Sequence, residues 1–92
     1  MKISFDPVKR EWTLRERRLD FAEAPKVFAD TTVDQEDDRF DYGEMRMITV
    51  GWLSDRMVVL VWTDRGDRRH VISMRKANKR EQAKYKDRLG RS

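Results

Sequence analysis

MITVGWLSDRMVVLVWT, residues 47–63, decides the fold of this chain. Two apolar runs, 47–54 and 57–63, flank the polar tripeptide Ser54-Asp55-Arg56 and are rich in Val, Ile, Thr and Trp, the residue types that pack on a pleated surface. The spacing predicts a β-hairpin, out along residues 44–53 and back along 57–63. A second turn, Asp64-Arg65-Gly66-Asp67, leads into residues 68–73, so three antiparallel strands are expected in succession. The middle run, VVLVW, is apolar at consecutive positions. Both of its faces therefore need a cover, one from helices and the other from the carboxy-terminal helix or a partner. Trp52 and Trp62 lie on neighbouring strands, as core packing or, alternatively, as an exposed binding platform.

Downstream of the hairpin comes RRHVISMRKANKREQAKY, residues 68–85, where a strand gives way to a basic helix. Asn78 followed by Glu81 is a capping-box pattern: the amide side chain takes an orphan backbone N–H and the carboxylate reaches back. This predicts a helix from residue 79 to about residue 89. Arg80, Lys84 and Arg88 share one face and Glu81, Tyr85 and Leu89 another. Besides Tyr85, only Ala83 and Leu89 offer apolar contact, so the helix is expected to be wet and cationic.

Upstream, residues 2–5 alternate polar and apolar as a short strand does. Asp6-Pro7 then opens a helix, because Asp is a favoured cap and Pro is tolerated at the first helical position. Val8, Trp12, Arg15 and Leu19 recur at helical spacing, which makes Trp12 an expected core anchor, with base stacking the alternative. Arg15, Arg17 and Arg18 crowd the end of this helix, where cations suit the dipole. Asp20 and Glu23 form a second capping signal, and Phe21, Ala24, Pro25 and Phe28 make an apolar stripe; Pro25 inside that helix should bend or shorten it. Residues 30–41 carry six acidic side chains and one basic one without apolar periodicity, as a solvated loop or an edge-strand connection does. Asp34, Glu36, Asp37, Asp38 and Asp41 are close together, but the glycine that an EF-hand turn requires is missing.

At 92 residues the chain is expected to form one domain of class α+β: strand, helix, helix, then an antiparallel sheet of three or four strands and a final helix. Without Cys there is neither a disulfide framework nor a thiolate nucleophile, and the uncharged runs fall short of the roughly 18 residues of a membrane span. A soluble, cytoplasmic chain is expected. Charge is unevenly spread: residues 1–42 hold 8 Lys/Arg against 11 Asp/Glu, and residues 43–92 hold 13 against 6. The basic second half is either a solvated surface or an electrostatic footprint for a phosphate backbone. No Gly-rich phosphate loop or nucleophile elbow is present, and one His without Cys excludes the common transition-metal sets, so no metal or cofactor is expected.

RNA brings its own nucleophile, the 2′-hydroxyl. Its cleavage needs a base, cations for the pentavalent phosphorane, and an acid for the leaving 5′-oxygen. Arg75, Lys79 and Arg80, near a strand end and a helix start, are the candidate cations, helped by the helix dipole. Glu81 or His70 is the candidate base and Tyr85 the candidate donor or positioning group. Each has a structural alternative: Glu81 as a cap, His70 as an exposed strand residue, Tyr85 as a packing contact. Arg46, Arg68, Arg69, Lys84 and Arg88 are candidate RNA contacts.

The order Ile72, Ser73, Arg75, Ala77, Asn78, Lys79, Arg80, Glu81 and Tyr85 resembles the BrnT toxin family. Phe5-Asp6-Pro7, Lys9, Leu14, Leu19-Asp20-Phe21, Glu23-Ala24 and Val27-Phe28 are similar to the same family, so the likeness covers nearly the whole chain. It implies a RelE-type fold, a metal-independent endoribonuclease toxin that arrests translation, and neutralisation by a BrnA-like ribbon-helix-helix antitoxin, with a homodimer within the complex. Two departures stand out. Where the family usually shows Lys-His-Gly after the first helix this chain has Glu16, Arg17 and Arg18, and where it often has Arg after the helix Glu this chain has Gln82. The alternatives are a non-enzymatic basic module that binds nucleic acid or protein, and a degenerate toxin kept for complex formation.

Overall fold

In the computed structural model, which describes residues 1–90, the hairpin forms as its sequence requires: β3 (Met47–Leu53) runs antiparallel to β4 (Arg56–Asp64), with Leu53 opposite Arg56 across a two-residue turn. β5 (Arg69–Lys76) pairs antiparallel with the other edge of β4. The sheet is larger than the three or four antiparallel strands expected. β1 (Ile3–Phe5) adds parallel to β5, placing Ser4 beside His70, and β2 (Thr32–Glu36) adds antiparallel to β3. Five strands result, in the order β1-β5-β4-β3-β2. With three helices beside this mixed sheet, the class is α+β. The acidic stretch thus contains an edge strand, in which Val33 is buried and Asp34 accepts a 2.6 Å hydrogen bond from the Thr49 hydroxyl.

β4 is covered on both faces by this chain's own elements. On the first face, Val58, Leu60 and Trp62 pack with Val71 and Met74 of β5 and with Phe21, Ala24 and Val27. On the second, Met57 and Val59 pack with Val33, Val50, Ala77, Tyr85 and Leu89. This alternation is the period of two of a strand. No partner is needed to hide the apolar strand. Trp52 and Trp62 fall on opposite faces, because Met57 stands opposite Trp52 and Met47 opposite Trp62. The β4–β5 register slips between Val61 and Trp62: Trp62 faces Val71 and Val61 faces Ser73, which leaves Ile72 as the extra residue of a bulge.

The elements on the first face explain two departures from the expected pattern. α1 (Pro7–Arg17) starts as anticipated, with Asp6 accepting from the Val8 N–H at 2.9 Å and Pro7 in the first turn. Trp12, however, is not a core anchor. It is 46% exposed and Val8 76%, while Thr13 is the buried residue of the helix. The helix turns a different stripe toward β5 from the one its apolar spacing suggested. Past Arg18, a short 3-10 turn (Phe21–Glu23) and α2 (Ala24–Phe28) carry the stripe that does pack. Pro25 lies in the first turn of α2, where its missing N–H costs nothing; the chain turns and restarts rather than bending around it. α2 approaches β3 so closely that a Cβ on Gly51 would lie 2.8 Å from Val27 Cγ1.

On the second face, α3 (Lys79–Tyr85) has seven residues and ends four short of the expected end. The chain then turns, with the Leu89 N–H donating to the Tyr85 carbonyl at 2.9 Å. Tyr85 and Leu89 are buried while Ala83 is exposed, so this short basic helix is a core element after all.

Candidate functional site

The β5–α3 junction is fixed by hydrogen bonds that begin in the sheet. Ala77 N–H donates to the Met57 carbonyl at 2.9 Å, which ends β5 against β4. Asn78 takes an extended backbone and its side chain accepts from Glu81 N–H at 2.8 Å, while Glu81 Oε1 accepts from Asn78 N–H at 2.9 Å. The predicted capping box is therefore complete. Both Glu81 oxygens also accept from the Arg75 guanidinium, at 2.7 and 2.8 Å.

This arrangement sets the chemistry of both side chains. The hydrogen bonds from Arg75, followed by that from Asn78 N–H, outweigh burial and hold the Glu81 carboxyl down at about 2. Such a carboxylate is a weak proton acceptor near neutral pH. Its geometry suits orienting Arg75. Arg75, reciprocally, is held more firmly protonated by Glu81. The Glu81 N–H is engaged by the cap, and with seven residues the helix is short, so the expected contribution of its dipole is small.

Lys79 and Arg80 are exposed at the start of α3 and form no ion pair among the described residues. Lys84 Nζ and Arg88 Cζ lie 5.2 and 5.9 Å from the centre of the Tyr85 ring, which is itself buried in the second core. Tyr85 is thus a packing contact that supports two cations. Arg75, Lys79, Arg80, Lys84 and Arg88 all belong to this junction and its helix.

The other candidates stand elsewhere. His70 Nδ1 is 2.9 Å from Ser4 Oγ, and burial, then the nearby Arg65, lowers its pKa, favouring the neutral ring. It faces the same side of the sheet as Arg75, but their β4 partners, Thr63 and Val59, are four residues apart, or about 13 Å at strand rise. The two do not converge on one atom. Arg46 lies 4.0 Å over the Tyr42 ring and 3.5 Å from Glu44. Arg68 pairs with Asp67 at 2.9 Å, which raises its pKa. Arg69 is on the opposite face, its guanidinium 4.2 Å over the ring of Trp62 and 4.6 Å over that of Phe28. These three arginines already have partners.

One cation near the junction escaped the sequence reading. Arg39, the single base of the acidic stretch, is clamped by Asp37 at 2.7 and 2.9 Å, and its charge is felt at Arg75. Asp37, buried and also bonded to the Tyr42 hydroxyl at 3.1 Å, is held at about 2, chiefly by the Arg39 hydrogen bond. A basic residue five positions from Asp34 and two from Asp37 carries no periodic signal that would bring it to the sheet. Among the described residues no three His, Cys, Asp or Glu side chains come together as metal ligands. No helix among the described residues is long and apolar enough to cross a membrane.

The departures at residues 17, 18 and 82 have visible structural roles. Arg17 donates to the Met74 carbonyl at 2.9 Å, satisfying the edge of β5 beyond the end of β1, and lies 5.1 Å over the Trp12 ring. Arg18 closes α1 in the left-handed conformation, φ 60°, ψ 33°. Gln82 donates to the Ala77 carbonyl at 3.0 Å. A family model described as "Ribonuclease toxin, BrnT, of type II toxin-antitoxin system" matches residues 5–81. No curated protein matches the chain.

Proposed function

This chain belongs to the BrnT family, the ribonuclease toxins of type II toxin–antitoxin systems, and from that premise we propose that it cleaves RNA without a metal at the β5–α3 junction. Arg75, Lys79 and Arg80 supply positive charge for the phosphorane formed when a 2′-hydroxyl attacks its own phosphodiester. The observation that carries this is the state of the cations: Arg75 is aimed by Glu81, while Lys79 and Arg80 are exposed with no ion pair among the described residues. Glu81 orients rather than accepts a proton, and Tyr85 supports the helix. His70, kept neutral and about 13 Å along the same face, is out of reach of the 2′-hydroxyl held at the junction and meets an adjacent nucleotide instead, so water takes the 2′-hydroxyl proton and water protonates the leaving 5′-oxygen while the cations stabilise the phosphorane.

Cleavage of RNA needed by the ribosome would stop translation in the cytoplasm. An antitoxin of the BrnA-like ribbon-helix-helix kind would silence the protein by laying an acidic segment over the exposed cations of α3. The purified protein is expected to cut RNA in EDTA and leave 2′,3′-cyclic or 3′-phosphate ends. Lys79→Ala and Arg80→Ala should each slow cleavage at least about tenfold, the 1.4 kcal/mol expected of a group that stabilises transition-state charge. Strict magnesium dependence or 3′-hydroxyl ends would reject the mechanism, and normal rates in both variants would move the site elsewhere.

A further inference from the structure

Beside the junction, between the hairpin turn, the end of β5 and α3, lies an open cleft of about 490 Å³. We propose that it is a subsite for single-stranded RNA in which one base stacks on Trp52 and the flanking phosphates meet Arg56, Lys76 and Lys86; this rests on the ribonuclease reading above and places a second contact point on the same substrate. Trp52 is partly buried on the second face of the sheet, and Met57 and Ala77 extend its apolar floor. An aromatic ring on such a floor accepts any base, because every base has a π-face.

The rim distinguishes this cleft from ordinary surface. Arg56, Lys76 and Lys86 come from three different parts of the chain, are exposed, and form no ion pair among the described residues. Elsewhere, Arg10, Arg39, Arg68 and Arg75 each hold a carboxylate at 2.7–2.9 Å. Among the described residues that line the cleft, Asp55 alone opposes these three like charges, which repel one another, and a polyanion relieves that repulsion. Gln82 completes the wall. Its amide nitrogen is engaged by the Ala77 carbonyl at 3.0 Å, which fixes the side chain and leaves its oxygen to accept from the exocyclic amine of a base. A stacking ring, a fixed amide acceptor and surrounding cations match a nucleotide more fully than they match an acidic peptide, which would use the cations alone.

The test is binding of a fluorescein-labelled 2′-O-methyl RNA hexamer, which has no free 2′-hydroxyl at its linkages and cannot be cut, followed by anisotropy. Trp52→Ala should weaken binding at least about fivefold and Trp52→Phe, which keeps a stacking ring, no more than about twofold. Lys86→Glu with Arg56→Glu should weaken it further and flatten the salt dependence. These two charge changes are on exposed residues, so they keep the test decisive if Trp52→Ala loses its fold by circular dichroism. Unchanged hexamer affinity in the charge variant, or equal affinity in folded Trp52→Ala and the parent protein, overturns the subsite. If the variants instead lose only binding of a labelled hexaglutamate peptide, the cleft is a protein-docking surface and the proposal is equally overturned. Cleavage of unmodified RNA is measured in parallel: hexamer binding that is sensitive to Trp52 in a protein that cuts nothing supports the subsite while rejecting the nuclease reading.

Discussion

α1 and α3 flank the same strand and invert the roles that their compositions suggest. α1 carries Val8, Trp12 and Leu14, yet leaves all three substantially exposed and buries Thr13. α3 is seven residues of mostly charged chain, yet its end inserts Tyr85 into the second core, with Leu89 just beyond. What anchors a short helix is therefore not the number of its apolar residues but whether one of them points at the sheet when the strand before it ends. α3 is aimed by its cap, since Asn78 and Glu81 set its direction directly from β5. α1 instead follows β1, far from β5 in the chain, and is held by polar contacts, Arg10 to Asp20 and Arg17 to the Met74 carbonyl.

The largest expected effect tests that inversion directly. Tyr85→Ala should cost about 3–5 kcal/mol in urea unfolding, as removal of a buried aromatic does, and Trp12→Ala less than about 1 kcal/mol despite the larger ring. Equal losses would break the comparison and return α1 to the core.

A smaller effect sharpens the account of how α3 is aimed. Glu81 is held at about 2 in the folded protein, against an ordinary value near 4.5, so the unfolded chain takes up its proton first. The stabilisation is present above about pH 4.5 and lost as pH falls toward 2. Because Arg75 is 44% exposed, screening reduces the pair to on the order of 1 kcal/mol. The melting temperature should fall less steeply over this pH window in Glu81→Gln than in the parent. Asp37 shifts in the same direction and contributes to both curves, so a difference between them isolates Glu81. Superimposable curves would mean the Arg75–Glu81 pair does not hold the junction in solution.

The smallest effect concerns the end of α1. Arg18 occupies a left-handed conformation that costs an L-residue roughly 1–2 kcal/mol, and glycine adopts it freely. Arg18→Gly should raise stability by about 0.5–1 kcal/mol, the backbone relief less the greater freedom of the unfolded glycine chain. A loss of stability would show that the Arg18 side chain has contacts of its own to give up.

Local signals were legible in the sequence because they depend on neighbours within a few positions. Asp6-Pro7, Asn78 with Glu81, and the hairpin around Ser54 and Asp55 all appear where residue chemistry placed them. What depended on distant pairing was not legible. β2 hides in an acidic stretch because an edge strand needs only Val33 buried and can leave Asp34, Gln35 and Glu36 in water. β1 was foreseen as a strand, but its parallel place beside β5 is fixed across the whole chain. Trp12 was misplaced because helical periodicity identifies a stripe without saying which way the stripe faces. At the junction, the cap and the cations could be read residue by residue. Arg39 could not, since it arrives through Asp37 and a loop, and the separation of His70 from Arg75 depends on the pairing of β4 with β5.

That pairing contains the odd residue, Ile72, and its effect is one of phase. Five positions separate His70 from Arg75, an odd interval that would send them to opposite sides of a regular strand. The unmatched residue advances the strand by half a period, so that both stand over the odd-numbered side of β4, opposite Thr63 and Val59. Everything after it inherits the advance: Arg75 meets Glu81 instead of the packing under α2, and the chain leaves the sheet on the side where α3 can close over Tyr85. A single inserted position thus decides on which side of the sheet Arg75 meets Glu81 and α3 packs.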